Sequence, residues 1–228
     1  MRVYRRSPQV EPTLMRQYGA KPKDLWSDQP DHANKTLDEI ERGFDIALTD
    51  RIFSRDGQAL HEVVARELTL NNTTIAVAES CTGGLLAQRL TSIAGSSSFF
   101  LGGVVCYSNE RKTAWADVPP ELIATKGAVS PEVAVALADG IRRRVGSALG
   151  LGVTGIAGPG GGSEEKPVGT VHIALSHTAG VVERALTLPG DRDAIRWQAS
   201  QVALDMVRLH LLYSAGERML SSKAQNRI

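Results

Sequence analysis

The sequence is short of most features that would announce a function at once. Cysteine is nearly absent: Cys81 and Cys106 are the only two in 228 residues, too few for a disulfide framework or a thiolate zinc site. The five histidines, His32, His61, His172, His177 and His210, include no pair four apart, so no metal is expected. A surplus of charge is lacking too. Lys and Arg number 26 against 25 Asp and Glu, a net charge of +1, and aromatics make up 5% of the chain. Gripping nucleic acid calls for a basic surplus and stacking surfaces, so nucleic acid is not an expected partner. No apolar run approaches the ~20 residues that span a bilayer, and the N-terminus has no signal-peptide core. No membrane partner is expected, and the default is a soluble cytoplasmic protein.

What remains is a globular composition. With glycine counted and tyrosine left out, the apolar share comes to about 50%, the norm for packed domains. A prior of roughly 150 residues per domain allows about one and a half domains. Residues 1–35 carry Pro8, Pro12, Pro22 and Pro30 and no apolar period, and read as an extended arm or the remainder of something larger. Helical spacing runs over Thr36–Leu48 and again over residues 58–68, where Asn71-Asn72 stops it. Strands are expected at Thr73–Ala78, Phe99–Tyr107 and Leu149–Ile156. A hairpin pairs Val168–Ser176 with Val181–Leu188. Helices are expected over Leu85–Ile93, from Pro131 behind an N-capping Ser130 to Val145, and over Asp193–Leu212. Alternating strands and helices predict an α/β fold, a three-layer α/β/α sandwich, and the closing hairpin makes its β-sheet mixed.

Four places can carry chemistry. Glu79-Ser80-Cys81-Thr82-Gly83-Gly84 sits at a strand-to-helix junction, where unpaired N–H groups near Thr82–Gly84 can stabilise an oxyanion. The same residues also suit a plain N-cap with an easy turn. No lysine follows the glycines, so it is not a P-loop. Tyr107-Ser108-Asn109-Glu110-Arg111-Lys112 follows a strand; a buried lysine there can act as a base, and an exposed one only decorates a charged turn. Thr154-Gly155-Ile156-Ala157-Gly158-Pro159-Gly160 either offers backbone N–H groups to a ligand or is a flexible connection. Arg192 and Arg196, four apart, can clamp a phosphate or pair with Asp191 and Asp193.

Taken in order, four blocks resemble the C-terminal domain of the CinA family, the nicotinamide-nucleotide amidohydrolases. They are Ala78–Gly84, Gly102–Lys112, Gly127-Ala128-Val129-Ser130 and Val153–Gly161. The resemblance covers residues 58–213. It leaves 1–57 as an arm and a remnant of the family's linking domain, and 214–228 as a flexible tail. It implies hydrolysis of the carboxamide of nicotinamide mononucleotide to nicotinate mononucleotide and ammonia, in pyridine nucleotide salvage, without cofactor or metal. It further implies Ser80 as nucleophile, Lys112 as its base and Tyr107 as a neighbour orienting one of them. Cys81, Thr82, Gly83, Gly84, Thr154, Gly155, Gly158, Arg192 and Arg196 are the expected substrate contacts, with the phosphate falling to one of the two arginines. The family resemblance suggests a homodimer. Full-length members carry a large nucleotide-processing domain for which the residues before Thr36 are too few, so its pyrophosphatase activity is not expected. A non-catalytic nucleotide-binding module and a competence-associated protein are the rival readings.

Cys81 is the rival nucleophile on composition alone, because a thiol at a helix N-terminus is easily ionised. The resemblance favours Ser80 and leaves Cys81 to pack as a small apolar group.

Overall fold

The structure, a computed structural model, describes residues 52–225, with side chains to Ser214. From Ser54 onward these residues belong to one compact unit. The readings for residues 1–51, the helix over Thr36–Leu48 included, lie outside the described residues.

The chain forms α1 (Leu60–Leu70), β1 (Ile75–Glu79), α2 (Leu85–Thr91), β2 (Phe100–Val105), α3 (Asn109–Ala116), α4 (Pro120–Lys126), α5 (Pro131–Val145), β3 (Leu149–Gly155), β4 (Thr170–His177), β5 (Gly180–Thr187) and α6 (Arg192–Gln225). The sheet runs in the order β2-β1-β3-β4-β5. Strand β1 is parallel to both neighbours, and β3-β4-β5 is antiparallel. Helices cover both faces, which makes the mixed α/β/α sandwich that the sequence predicts. Every residue of β1 is buried, as befits a strand covered on both sides.

The two faces are built differently. One carries large side chains: Ile75, Val77, Leu149, Leu151, Val153, Val171, Ile173 and Leu175, packed under α1, α2 and α6. Burial of this area, at about 25 cal/mol per Å² of apolar surface, is the main source of stability. Arg89, 4% exposed, ties α2 to α6 by donating to Ser200 Oγ at 2.7 Å and lying 4.2 Å over the Trp197 ring. The other face is small: Ala76 and Ala78 lie beneath α3, α4 and α5, and Ala174 beneath Ala134 and Ala138 of α5. A Cβ at Gly150 or Gly152 of β3 would run into the carbonyl oxygens of Ala138 and Ala134, so helix α5 sits almost on the backbone of the sheet.

Three elements depart from the sequence reading. Helices α3 and α4 were not expected, because neither has an apolar period; Ser108 caps α3 and Pro120 opens α4. Lys112 therefore lies on a helix rather than in a turn after a strand. The last helix continues past Leu212 to Gln225, since one glycine, Gly216, weakens a helix by about 1 kcal/mol without stopping it.

Gly150→Ala is expected to lower stability by at least ~1–3 kcal/mol, the usual range for overpacking against backbone. A urea midpoint unchanged from the parent would show that α5 is free to back away.

Candidate functional site at the carboxyl ends of the parallel strands

From β1 the chain goes on to β2 on one side, and from β3 to β4 on the other. Open α/β sheets bind ligands beyond the strand ends at such a point of divergence. Glu79 stands beside Val105 of β2 and Val153 of β3. The ladder extends one residue further, with Ser80 N–H donating to Val153 O at 3.0 Å and Cys106 N–H to Glu79 O at 2.7 Å. Ser80 thus lies between Cys106 and Thr154.

Strand alternation then sorts the side chains. Glu79 follows Ile75 and Val77 toward α2, while Ser80 follows Ala76 and Ala78 toward the face that α3 covers. Lys112 comes from α3. It is 2% exposed, and its Nζ donates to the Cys106 carbonyl at 3.1 Å. That carbonyl belongs to the residue beside Ser80, so the lysine head reaches the row of the sheet that holds Ser80. The Ser80 hydroxyl has no hydrogen-bond partner among the described residues.

Burial pulls the Lys112 ammonium below its ordinary value of 10.5, against the opposite pull of Cys106, Cys81 and Glu110. Arg111, adjacent in sequence, lies 5.1 Å from the Trp115 ring, and desolvation does the lowering. Burial pushes the Cys81 thiol up to about 12 and the Cys106 thiol up to about 11. The easily ionised thiol expected of a helix N-terminus is not found, because α2 begins only at Leu85 and Cys81 packs into the large core.

The turn between β1 and α2 needs its glycines: Gly83 and Gly84 take φ of +61° and +93°, values that strain other residues. Glu79, 1% exposed, folds back to accept the N–H groups of Gly84 at 3.0 Å, Leu86 at 3.1 Å and Ala87 at 2.8 Å. The Gly83 N–H is spent on Ser80 O at 3.1 Å. Of the turn's N–H groups, those of Cys81 and Thr82 bond to no oxygen among the described residues and act instead on the Cys81 thiol. Glu79 was the polar residue sequence reasoning missed; an acid placed just before a Gly-Gly turn was the available signal.

The two arginines on the first turns of α6 reach different parts of the rim. Arg192 donates to Gly158 O at 2.8 Å and to Tyr107 Oη at 2.7 Å, joining the glycine-rich loop to the end of β2. Arg196 donates through Nε and Nη2 to Thr82 O at 3.2 and 3.1 Å, and pairs with Asp193 at 3.3 Å. Tyr107 is 59% exposed, and its hydroxyl is held by Arg192 rather than by Ser80 or Lys112. Thr154 Oγ1 donates to Ala128 O at 2.7 Å, and Lys166 Nζ to Val129 O at 2.8 Å. These bonds pin the Gly127–Ser130 segment beside the strand ends. Gly155 serves packing, since a Cβ there would stand 2.8 Å from Thr170 O. Among the described residues no group of three His, Cys, Asp or Glu is placed to hold a metal, and no helix is long and apolar enough to cross a membrane.

Fold and site together define a three-layer α/β/α domain whose polar residues converge at the carboxyl ends of its parallel strands. The chain belongs to the CinA family: the model of the CinA C-terminal domain matches residues 57–211. It is 48% identical to a CinA-like protein of Koribacter versatilis over 214 residues, 92% of this chain and 51% of that protein. It is 50% identical to a CinA-like protein of Myxococcus xanthus over 182 residues, 79% and 43% of the two. The chain thus spans about half the length of the curated relatives it matches. Among solved structures, the competence/damage inducible protein CihA from Agrobacterium tumefaciens superposes with a TM-score of 0.65 at 40% identity, covering 67% of this chain and 93% of that one. A CinA superfamily protein from Klebsiella pneumoniae gives a TM-score of 0.65 at 33% identity, over 68% and 99%.

A buried lysine without a carboxylate partner costs stability while it is protonated. Lys112→Met is therefore expected to raise the melting temperature by a few degrees. Because the lysine's folded value lies below 10.5, the unfolded chain binds more protons between the two, and the wild type gains stability as pH rises through that window. The advantage of the Met variant should be largest below the window and fade toward its top. A variant that melts lower than the wild type at neutral pH would mean that the bond to Cys106 O outweighs the buried charge.

Proposed function

We propose that this chain hydrolyses the carboxamide of nicotinamide mononucleotide, giving nicotinate mononucleotide and ammonia, with Ser80 as nucleophile and Lys112 as its base. The observation that carries the reading is the buried Lys112 on the same face as the unengaged Ser80 hydroxyl. An amide is a poor electrophile and needs an activated nucleophile, a stabilised oxyanion and a proton for the departing amine. A free lysine is deprotonated in fewer than about one in a thousand molecules at neutral pH. Desolvation raises that fraction.

Neutral Lys112 takes the Ser80 proton as Oγ bonds to the carboxamide carbon, and the carbonyl electron pair moves onto oxygen. The N–H groups of Cys81 and Thr82, which bond to no oxygen among the described residues and act only on the neutral Cys81 thiol, are the donors for that oxyanion. Protonated Lys112 then gives its proton to the nitrogen, the C–N bond breaks, and ammonia leaves an ester on Ser80. Water, deprotonated by Lys112, attacks the ester; the C–O bond to Ser80 breaks and the proton returns to Oγ. Arg192, the more exposed of the two arginines, is the phosphate contact.

Ammonia release from the mononucleotide by purified protein is the primary test, with kcat/KM far above that for free nicotinamide; comparable values would remove the nucleotide from the reading. Ser80→Ala should abolish turnover and Cys81→Ala keep most of it. Lys112→Arg holds the charge but gives up no proton, so a loss of ~10²-fold or more is expected. A near-wild-type Lys112→Arg enzyme would assign the proton transfer to another group.

Arg192→Gln should raise KM for the mononucleotide by about tenfold, the scale of one charge-assisted contact to phosphate, and leave KM for nicotinamide riboside unchanged. An equal rise for both substrates would move the phosphate contact elsewhere.

A further inference from the structure

Residues 80–84 form a turn that contains two glycines of positive φ and whose Cys81 and Thr82 N–H groups bond to no oxygen among the described residues. Such a turn is soft, because glycine holds no conformation by itself. Two charged side chains grip it. The Glu79 carboxylate ties down its far end through Gly84, Leu86 and Ala87. Arg196 comes from α6, 114 residues further along the chain, and forks onto the carbonyl of Thr82.

We propose that Glu79 and Arg196 are positioning residues that hold the turn carrying Ser80 in its reactive shape, so that Arg196 is not the phosphate contact; the inference rests on the amidohydrolase reading above. Fixing the Thr82 carbonyl fixes the peptide that follows Thr82, and the short turn passes that restraint to the Cys81 and Thr82 N–H groups. All three guanidinium nitrogens of Arg196 already have partners, Thr82 O for two and Asp193 for the third. Glu79 has a second consequence. By filling the amides at the start of α2, it removes a competing anion-binding place, and leaves the Cys81 and Thr82 N–H groups as the turn's donors not given to an oxygen. The two arginines, one helical turn apart, thereby do different work: Arg192 faces the rim of the site and Arg196 its supporting turn.

The experiment compares wild type, Arg196→Ala, Arg196→Lys and Glu79→Gln on nicotinamide mononucleotide and on nicotinamide riboside, and follows amide hydrogen exchange over residues 79–87. A misplacement of about 1 Å at a reacting group costs ~10²-fold. Arg196→Ala should therefore lose about that much kcat on both substrates with KM within about twofold, and Arg196→Lys, which restores one donor, should recover part of the loss. Exchange at Gly84, Leu86 and Ala87 should accelerate in Glu79→Gln. Arg196 is half-buried on the first turns of a helix, so its variants fold even where Glu79→Gln does not. A KM increase confined to the mononucleotide would make Arg196 the phosphate contact and overturn the proposal, as would exchange in Arg196→Ala that matches wild type. Failure of the wild type to release ammonia would instead sink the amidohydrolase reading, and the exchange data would then decide the grip on the turn alone.

Discussion

The close seating of α5 on the sheet is the contact on which the rest of the molecule depends. Gly150, Gly152 and Ala174 present almost bare backbone to Ala134 and Ala138. Dispersion falls off steeply with distance, so a helix that settles this deep is held over its length rather than at a few bulky points. Its depth sets the position of everything else on that face. Gly140 of α5 lies against the Ala116 carbonyl at the end of α3, so α3 is drawn in with it. Lys112 is carried by α3 and reaches the Cys106 carbonyl. The segment leading into α5, Gly127–Ser130, is pulled beside the strand ends and latched there by Thr154 and Lys166. Larger residues at two positions of β3 would push back a helix, its neighbour and the lysine together.

Much of this was legible in the sequence, for a physical reason. Strands buried on both sides and helices with one wet face write strong periodic signals, and so β1, β3, the β4-β5 hairpin and α5 fall where their patterns place them. Ser130 and Pro131 mark the start of α5 with local chemistry. The site motifs are legible because each sits at the end of such an element. Two things were not. Helices α3 and α4 are short and mostly exposed, so they carry no apolar period. The engagement of Arg196 is a matter of three-dimensional closure with Thr82, 114 residues away, which no local pattern encodes. Sequence spacing showed two arginines on one helix face; it could not show that one serves the loop ends and the other the turn after β1.

The site holds groups that a core would ordinarily exclude. Lys112, Glu79 and Thr154 are each at most 2% exposed, and each is tied to backbone rather than to an opposite charge. Backbone partners do not titrate and do not move with a rotamer, so they fix a polar side chain without neutralising it. A carboxylate beside Lys112 would have stabilised its ammonium and stiffened the fold. The arrangement instead leaves the lysine without an ion pair among the described residues, and the large apolar face under α1, α2 and α6 offsets the cost.

Helix α6 contributes Ile195, Ala199, Ala203, Leu204, Val207 and Leu211 to that large core and also delivers Arg192 and Arg196. It is the element that leaves the ribosome after all the others described. Until it docks, one side of the sheet is uncovered, and neither the turn after β1 nor the glycine-rich loop has its guanidinium. Ser80 and Lys112 are synthesised before it, yet a nascent chain that already contains both still lacks the arginines that hold the turn and the loop around them. Completion of the core and assembly of the polar cluster at the strand ends are thus one event, and a chain that stops short of α6 leaves both the turn after β1 and the glycine-rich loop unclamped.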